Sequence, residues 1–208
     1  KLPFGNRQFD TCSGVGPERA EKAARDFIDA GATALMSFGV AGGLSKVASA
    51  GTVVLADSVV IGQQVYNTDE AWHSRLFSAL SNKCPLITGL VMGTDRMVPT
   101  SSEKQALFKI TNALCCDMES HAVARVAVSN RIPFSIIRAV LDPYDRDVPS
   151  WVLRNLTATG GVRKTALCFH ALVRPLSWRK LADLSRDSNK AFKNLGCVAF
   201  SLGPNLQF

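Results

Sequence analysis

Short apolar, β-branched runs alternate with stretches of helical period along most of this chain, and that alternation limits its possible folds more than any other feature. Residues 11–17, Thr-Cys-Ser-Gly-Val-Gly-Pro, read as a strand end, a glycine turn and a helix start with Pro17 at its first position. The helix follows with Ala20, Ala23, Ala24, Phe27 and Ile28 on one stripe and stops at Gly31. Ala34–Phe38 is a short buried strand entering Gly39-Val40-Ala41-Gly42-Gly43, and Thr52–Ile61 is a second, β-branched strand. A helix near Asp69–Leu80, a strand over Leu86–Met92, a helix capped by Ser101 and running to about Lys109, and a strand over Ala113–Cys116 continue the pattern. A helix over Glu119–Asn130 and an apolar strand over Phe134–Leu141 complete it. Such repetition predicts an α/β fold with a largely parallel sheet covered on both faces, and ligands then sit beyond the carboxyl ends of the strands. After Pro149 two helices are expected, Val162–Val173 and Ser177–Leu195, the second with Trp178, Leu181, Leu184, Ala191, Phe192 and Leu195 on one side. No Gly/Ser-rich linker sets this part off, so residues 1–208 are read as one domain with a helical extension over about 151–208.

Composition excludes several classes. With 47% apolar and 20% charged residues the chain is globular in type, and Asp57 interrupts even its longest β-branched run, well short of the ~18 apolar residues of a membrane helix. The net charge of +7 could point to nucleic acid, but residues 1–150 carry 15 basic and 15 acidic residues, while residues 151–208 carry 9 and 2. A neutral body with a basic tail argues against a nucleic-acid surface and asks what the tail touches. The six cysteines show no C-x-x-C spacing, so neither a disulfide framework nor a zinc site is expected, and a reducing cytoplasm is the default compartment.

Three post-strand segments carry the chemistry-bearing residues. Gly39–Gly43 is read as a loop, either exposing backbone N–H groups to an anion or sugar, or simply allowing close packing. It lacks the lysine of a nucleoside-triphosphate loop, and Gly14-Val15-Gly16 lacks the third glycine of a dinucleotide turn. Asp117 and Glu119 stand at a strand-to-helix junction, where carboxylates also stabilise the helix terminus. Asp142 ends an apolar strand; it is an acid candidate, an Asx turn before Pro143, or a partner for Arg138. His73, His121 and His170 have no metal-ligand spacing, and His121 is expected to pack or face solvent.

In combination these segments resemble a known family. S-F-G-V-A-G-G-L (37–44), G-T-V-V-L-A-D (51–57), D-M-E-S-H-A-V-A (117–124) and F-S-I-I-R-A-V-L-D (134–142) are similar, in order and spacing, to the motifs of the purine nucleoside phosphorylase/methylthioadenosine nucleosidase superfamily. G-T-D-R-M-V (93–98), D-P-Y-D-R-D-V-P (142–149) and L-V-R-P-L-S-W-R-K-L-A-D-L (172–184) resemble its hopanoid-associated phosphorylase branch, which acts on adenosylhopane. The resemblance implies a three-layer α/β/α sandwich with a central mixed, mostly parallel sheet. It assigns Asp142 to the purine N7 and to departure of the base, and Met118 and Glu119 to the ribose. Arg96, Met97 and Val98 would line the purine face, with Gly39, Val40, Ala41, Gly42 and Gly43 beside ribose and anion. These roles suit N-glycosidic cleavage, in which the sugar becomes oxocarbenium-like and the purine gains negative charge.

The implied activity is release of adenine from an adenosine-type nucleoside, with no metal and no cofactor beyond inorganic phosphate as co-substrate. Phosphorylases of the superfamily place an arginine and a serine on phosphate where Ser37 and Val40 stand here, so phosphate and water both remain open as nucleophile. The family's N-terminal strand and glycine loop would precede Lys1. A homo-oligomer in the cytoplasm is expected, with possible peripheral membrane contact through the basic helix and no nucleic-acid partner. The rival readings are a methylthioadenosine/S-adenosylhomocysteine nucleosidase and a non-catalytic nucleoside-binding or membrane-associating protein.

Overall fold

Alternate residues of the central strands point to opposite sides, and each side is buried under a different pair of helices. The computed structural model describes residues 2–4, 7–9, 15–148, 178–203 and 206. The described order is β1 (Leu2–Phe4), β2 (Arg7–Phe9), α1 (Pro17–Asp29), β3 (Leu35–Gly43), β4 (Val53–Ile61), β5 (Gln64–Asn67), α2 (Glu70–Leu80), β6 (Leu86–Gly93), α3 (Ser101–Thr111), β7 (Cys115–Asp117), α4 (Ser120–Ser129), β8 (Phe134–Asp142) and α5 (Trp178–Leu202). Val54, Ala56, Val59 and Ile136 pack with Ala24 of α1 and Ala124 and Ala127 of α4. Val53, Leu55 and Ile137, one residue out of phase, pack with Trp72, Leu76 and Leu80 of α2 and Val198 and Leu202 of α5. This is the expected α/β/α arrangement.

The sheet is mixed. Its long ladders, β3 with β8 and β4 with β6, are parallel, as is β6 with β7. The pairs β3–β7, β4–β5 and β4–β8 are antiparallel. Because β8 bonds both β3 and β4, the order β4-β6-β7-β3-β8 returns to β4 and the sheet closes on itself. The neighbouring order β6-β7-β3-β8 brings the carboxyl ends of four strands together: Gly42 of β3 pairs with both Asp142 of β8 and Cys116 of β7, and Gly93 of β6 pairs with Asp117 of β7.

Local chemistry accounts for the helix ends. Gly31, at φ 92°, follows the end of α1; its N–H donates to Ile28 and that of Ala32 to Phe27, a Schellman closure. Asp69 caps α2, its Oδ1 accepting from the Trp72 N–H at 2.7 Å. The cap of α3 is Thr100, whose Oγ1 accepts from the Glu103 N–H at 3.3 Å; Ser101, the expected cap, is the first helical residue.

Two further expectations need correction. Gly39–Gly43 is not a loop but the carboxyl half of β3, held in register with Arg138–Asp142 by the parallel ladder, so backbone amides expected to cradle an anion lie in the ladder instead. The C-terminal helix runs on to Leu202, and its buried register is Asp187, Ala191, Leu195, Val198 and Leu202, leaving Phe192 58% exposed. The expected helix over Val162–Val173 lies outside the described residues, as do the side chains of Trp178, Arg179, Lys180 and Leu181.

Candidate active site

The converging strand ends hold two buried ion pairs. The first is built on β8, whose first seven residues are all buried. Arg138 lies in the middle of that run, 3% exposed, and its Nε donates to Asp117 Oδ2 at 2.9 Å. Its Nη2 donates to Ser37 Oγ at 2.6 Å and Ser120 Oγ at 2.9 Å, and Ser120 Oγ in turn donates to Asp117 Oδ2 at 2.6 Å. Asp117 Oδ1 accepts the backbone N–H groups of Glu119 and Ser120 at 2.8 and 2.7 Å, so this carboxylate caps α4 while neutralising the guanidinium. A Cβ on Gly39 would stand 2.4 Å from Arg138 Nη1, which explains a glycine inside a strand. Of the alternatives open for Asp142, pairing with Arg138 is the one the geometry removes, because the guanidinium is held by Asp117.

Glu119 opens toward the same centre. Its Oε2 is 3.8 Å from Arg138 Nη2, and its Oε1 accepts from the Gly16 N–H at 2.8 Å. The side chain is 20% exposed, and Met118 beside it is half-buried. Glu119 therefore faces the site rather than capping its own helix, for which Asp117 supplies the acceptor.

The second pair joins Asp142 to a lysine that no motif singles out. Lys104, on α3 and with no exposed side-chain surface, donates from Nζ to Asp142 Oδ2 at 2.5 Å. The same ammonium donates to the carbonyls of Pro143 at 3.0 Å and Arg146 at 2.9 Å. Burial raises the Asp142 pKa above the ordinary carboxylate value, and the charge and hydrogen bond of Lys104 pull it back part of the way. Cys116, beside Gly42, is a neutral thiol whose pKa is pushed up to about 12 by burial and by the Asp142 and Asp117 charges. The signal for Lys104 was present: it falls at the i, i+3, i+4 spacing with Leu107 and Phe108, on the side of α3 that packs inward.

The remaining candidates part company. Arg96 turns outward and pairs with Glu103, Met97 is 40% exposed, and Val98 is buried with Leu44, Ala113 and Cys116. Val40 packs toward Ala191 and Leu195 of α5, and Ala41 lies in the core under α1 and α4. Gly42 leaves ordinary van der Waals room for a Cβ beside Asp142 and Cys116, whereas a Cβ on Gly43 would be 2.8 Å from the Ala48 carbonyl. His121 packs against Gly93, with Nε2 3.4 Å from Asp95 Oδ1. Among the described residues no three His, Cys, Asp or Glu side chains gather as a metal ion would require.

A buried acid at one strand end and a carboxylate–guanidinium cluster at its neighbours fit the alignment found against known proteins. The profile described as "Phosphorylase superfamily" matches residues 4–160. The chain belongs to the phosphorylase superfamily. A 5'-methylthioadenosine/S-adenosylhomocysteine nucleosidase of Thermotoga maritima is 29% identical over 156 residues, 70% of each chain. The Neisseria meningitidis nucleosidase of the same name, solved with methylthio-immucillin-A, is 25% identical with a TM-score of 0.59 over 64% of this chain and 67% of that one. A futalosine hydrolase mutant of Helicobacter pylori shares the fold, with a TM-score of 0.56 over 61% of this chain and 66% of that one at 19% identity. Within the superfamily, this member has the nucleosidase-type α/β fold with its mixed sheet.

Proposed function

We propose that this chain cleaves the N-glycosidic bond of an adenosine-type nucleoside and releases adenine. The observation that carries this reading is Asp142, a carboxyl of raised pKa, 14% exposed at the end of β8, where the carboxyl ends of β3, β6 and β7 converge. As the bond breaks, its electron pair moves onto the purine, and a carboxyl whose pKa burial raises stabilises that charge by sharing a proton with N7. Glu119 accepts from the ribose hydroxyls, and Arg138 beside it holds that carboxylate's charge in the buried wall. The nucleosidases of Thermotoga maritima and Neisseria meningitidis to which the chain is similar support the same class of substrate. Adenine release from methylthioadenosine and from a lipid-linked adenosine nucleoside, followed by mass spectrometry with and without inorganic phosphate, tests it. A ribose 1-phosphate-type product identifies phosphorolysis, a free ribosyl product identifies hydrolysis, and no adenine from either nucleoside refutes the reading.

The finer reading is that the nucleoside is adenosylhopane, met at a membrane surface. It rests on the resemblance of residues 93–98, 142–149 and 172–184, and on the outer side of α5, where Arg186, Lys190 and Lys193 are exposed together with Phe192 and Phe200, the last 89% exposed. Basic side chains interleaved with exposed aromatics suit an anionic lipid surface, at about 1 kcal/mol for each Lys or Arg, screened by salt. No described helix is long and apolar enough to cross a membrane. Co-sedimentation with anionic and neutral vesicles at low and high salt is expected to show salt-sensitive binding to the anionic ones. No binding at low salt, or binding unchanged when Arg179, Lys180, Arg186, Lys190 and Lys193 become Gln, removes the membrane role.

A further inference from the structure

We propose that Lys104 is the positioning residue for Asp142: it fixes the orientation of that carboxyl and sets the pH range over which the carboxyl can hold a proton. This rests on the reading of Asp142 as the acid in nucleoside cleavage. The geometry carries it. Three oxygens surround Lys104 Nζ, Asp142 Oδ2 at 2.5 Å, Arg146 O at 2.9 Å and Pro143 O at 3.0 Å, and the side chain has no exposed surface. An ammonium has three N–H groups for three acceptors; a neutral amine would direct a lone pair at one of the oxygens. Lys104 is therefore the charged form, and a buried ammonium is stable only beside an ionised partner. The pair is therefore an ammonium held by a carboxylate.

The surroundings assign the effect to this lysine. From β7, Asp142 faces the Cys116 thiol, which stays neutral because its pKa lies near 12. β3 presents Gly42, which brings no charge. Arg146 belongs to the segment that follows Asp142; its guanidinium is paired with Asp187 of α5, and its charge lowers the Asp142 pKa less than Lys104 does. Glu103, the neighbour of Lys104 on α3, is paired with Arg96. Lys104 alone among these places a full charge in hydrogen-bond contact with the Asp142 carboxyl.

Lys104 is itself held firmly. The Ser101 N–H at the start of α3 donates to Asp147 Oδ1 at 2.7 Å, and the Val148 N–H donates to the Pro99 carbonyl at 2.7 Å. The far end of the segment that carries Asp142 is thus fastened to the start of α3, and Lys104, one turn further along the helix, holds its near part at Asp142, Pro143 and Arg146. A carboxyl gripped through Oδ2 cannot rotate freely, so its approach to a purine is fixed before the base arrives.

The test uses the full chain with Lys104→Met, an apolar residue of similar length, and reads two quantities. One is the titration of the Asp142 carboxyl carbon by NMR, assigned with Asp142→Asn; the other is the pH profile of kcat/KM for adenine release from methylthioadenosine. Loss of a cation in contact is expected to raise the Asp142 midpoint by about one pH unit or more and to move the alkaline limb of the profile upward by the same amount. An unchanged midpoint with unchanged limbs, even if turnover falls uniformly, overturns the proposal and leaves Lys104 a structural clip. Should Lys104→Met fail to fold, the wild-type Nζ resonance decides. An ammonium whose shift steps with the Asp142 titration supports the proposal; an ammonium whose shift does not follow it, or a neutral amine at neutral pH, refutes it. The NMR readings need no turnover, so they stand even if no nucleoside is cleaved.

Discussion

Two buried cation–carboxylate pairs lie at the same strand ends and are built for different work. Asp117 is 1% exposed, and both of its oxygens are consumed by Arg138, Ser120 and the amides of α4. Asp142 is 14% exposed and meets its lysine through one oxygen. A carboxylate with every lone pair occupied stabilises structure and offers nothing to a ligand. One held from a single side, with its pKa raised by burial, keeps an edge for chemistry. The difference teaches that burial of an acid does not by itself mark a catalytic group; what matters is how much of its hydrogen-bonding capacity the protein has already used.

Neutralising each acid in turn should separate the two pairs most sharply. Asp142→Asn is expected to lower turnover by about 10²–10⁴-fold while the protein still unfolds cooperatively. Asp117→Asn strands the Arg138 charge and should cost about 3–5 kcal/mol of stability in urea unfolding. If the losses were exchanged, with turnover following Asp117 and stability following Asp142 alone, the distinction would collapse.

Glu119 tests where the sugar side begins. Glu119→Gln removes a charge-assisted acceptor worth roughly 1.5–3 kcal/mol, so binding of ribosides should weaken by about 10- to 100-fold, and that of 2′,3′-dideoxy analogues much less. Equal weakening of both would place Glu119 with Asp117 among the structural carboxylates.

The pH dependence of stability should also distinguish the pairs. Burial places the folded pKa of Asp142 above its unfolded value, so the native chain binds more protons between the two. Its contribution to stability is therefore lost as pH rises from the ordinary carboxylate range, near ~3.9, through the raised folded value. Urea unfolding across this window should show the wild type losing stability relative to Asp142→Asn as pH rises. A constant difference between the two proteins would mean that desolvation of Asp142 is not expressed in folding.

The smallest effect concerns the helix that carries Lys104. Thr100→Ala removes the cap of α3 and should cost about 1 kcal/mol, read as a lower urea midpoint with an unchanged slope. If the alkaline limb of the activity profile moved as well, the hold of Lys104 on Asp142 would depend on the first turn of α3.

Local periodicity made most elements legible. The strands over 53–61, 86–93 and 134–142, and helices α1, α2 and α4, lie within a residue or two of where alternation, capping residues and glycines place them. β5 was missed because its residues are mostly exposed and its pairing with β4 is made by a turn through Gly62 rather than by an apolar run. The glycines at 39, 42 and 43 read as a loop because the side chain that makes Gly39 necessary, Arg138, comes from a strand a hundred residues away in sequence. In α5 the exposed Phe192 was drawn into the apolar stripe, and Gly196 disguised the continuation that buries Val198 and Leu202.

By itself the sequence determined which stretches become strands and helices, and that Asp142 stands at a strand's carboxyl end, because those properties are written in the spacing of neighbours. Only the tertiary structure decided which cation meets which carboxylate. Arg138 and Asp142 share one strand four residues apart, about 13 Å at the rise of an extended chain, so they cannot pair with each other. The strand order β7-β3-β8 brings Asp117 across to Arg138, and the packing of α3 brings Lys104 to Asp142. Those contacts are set by how whole elements stack in space, and no local period encodes them.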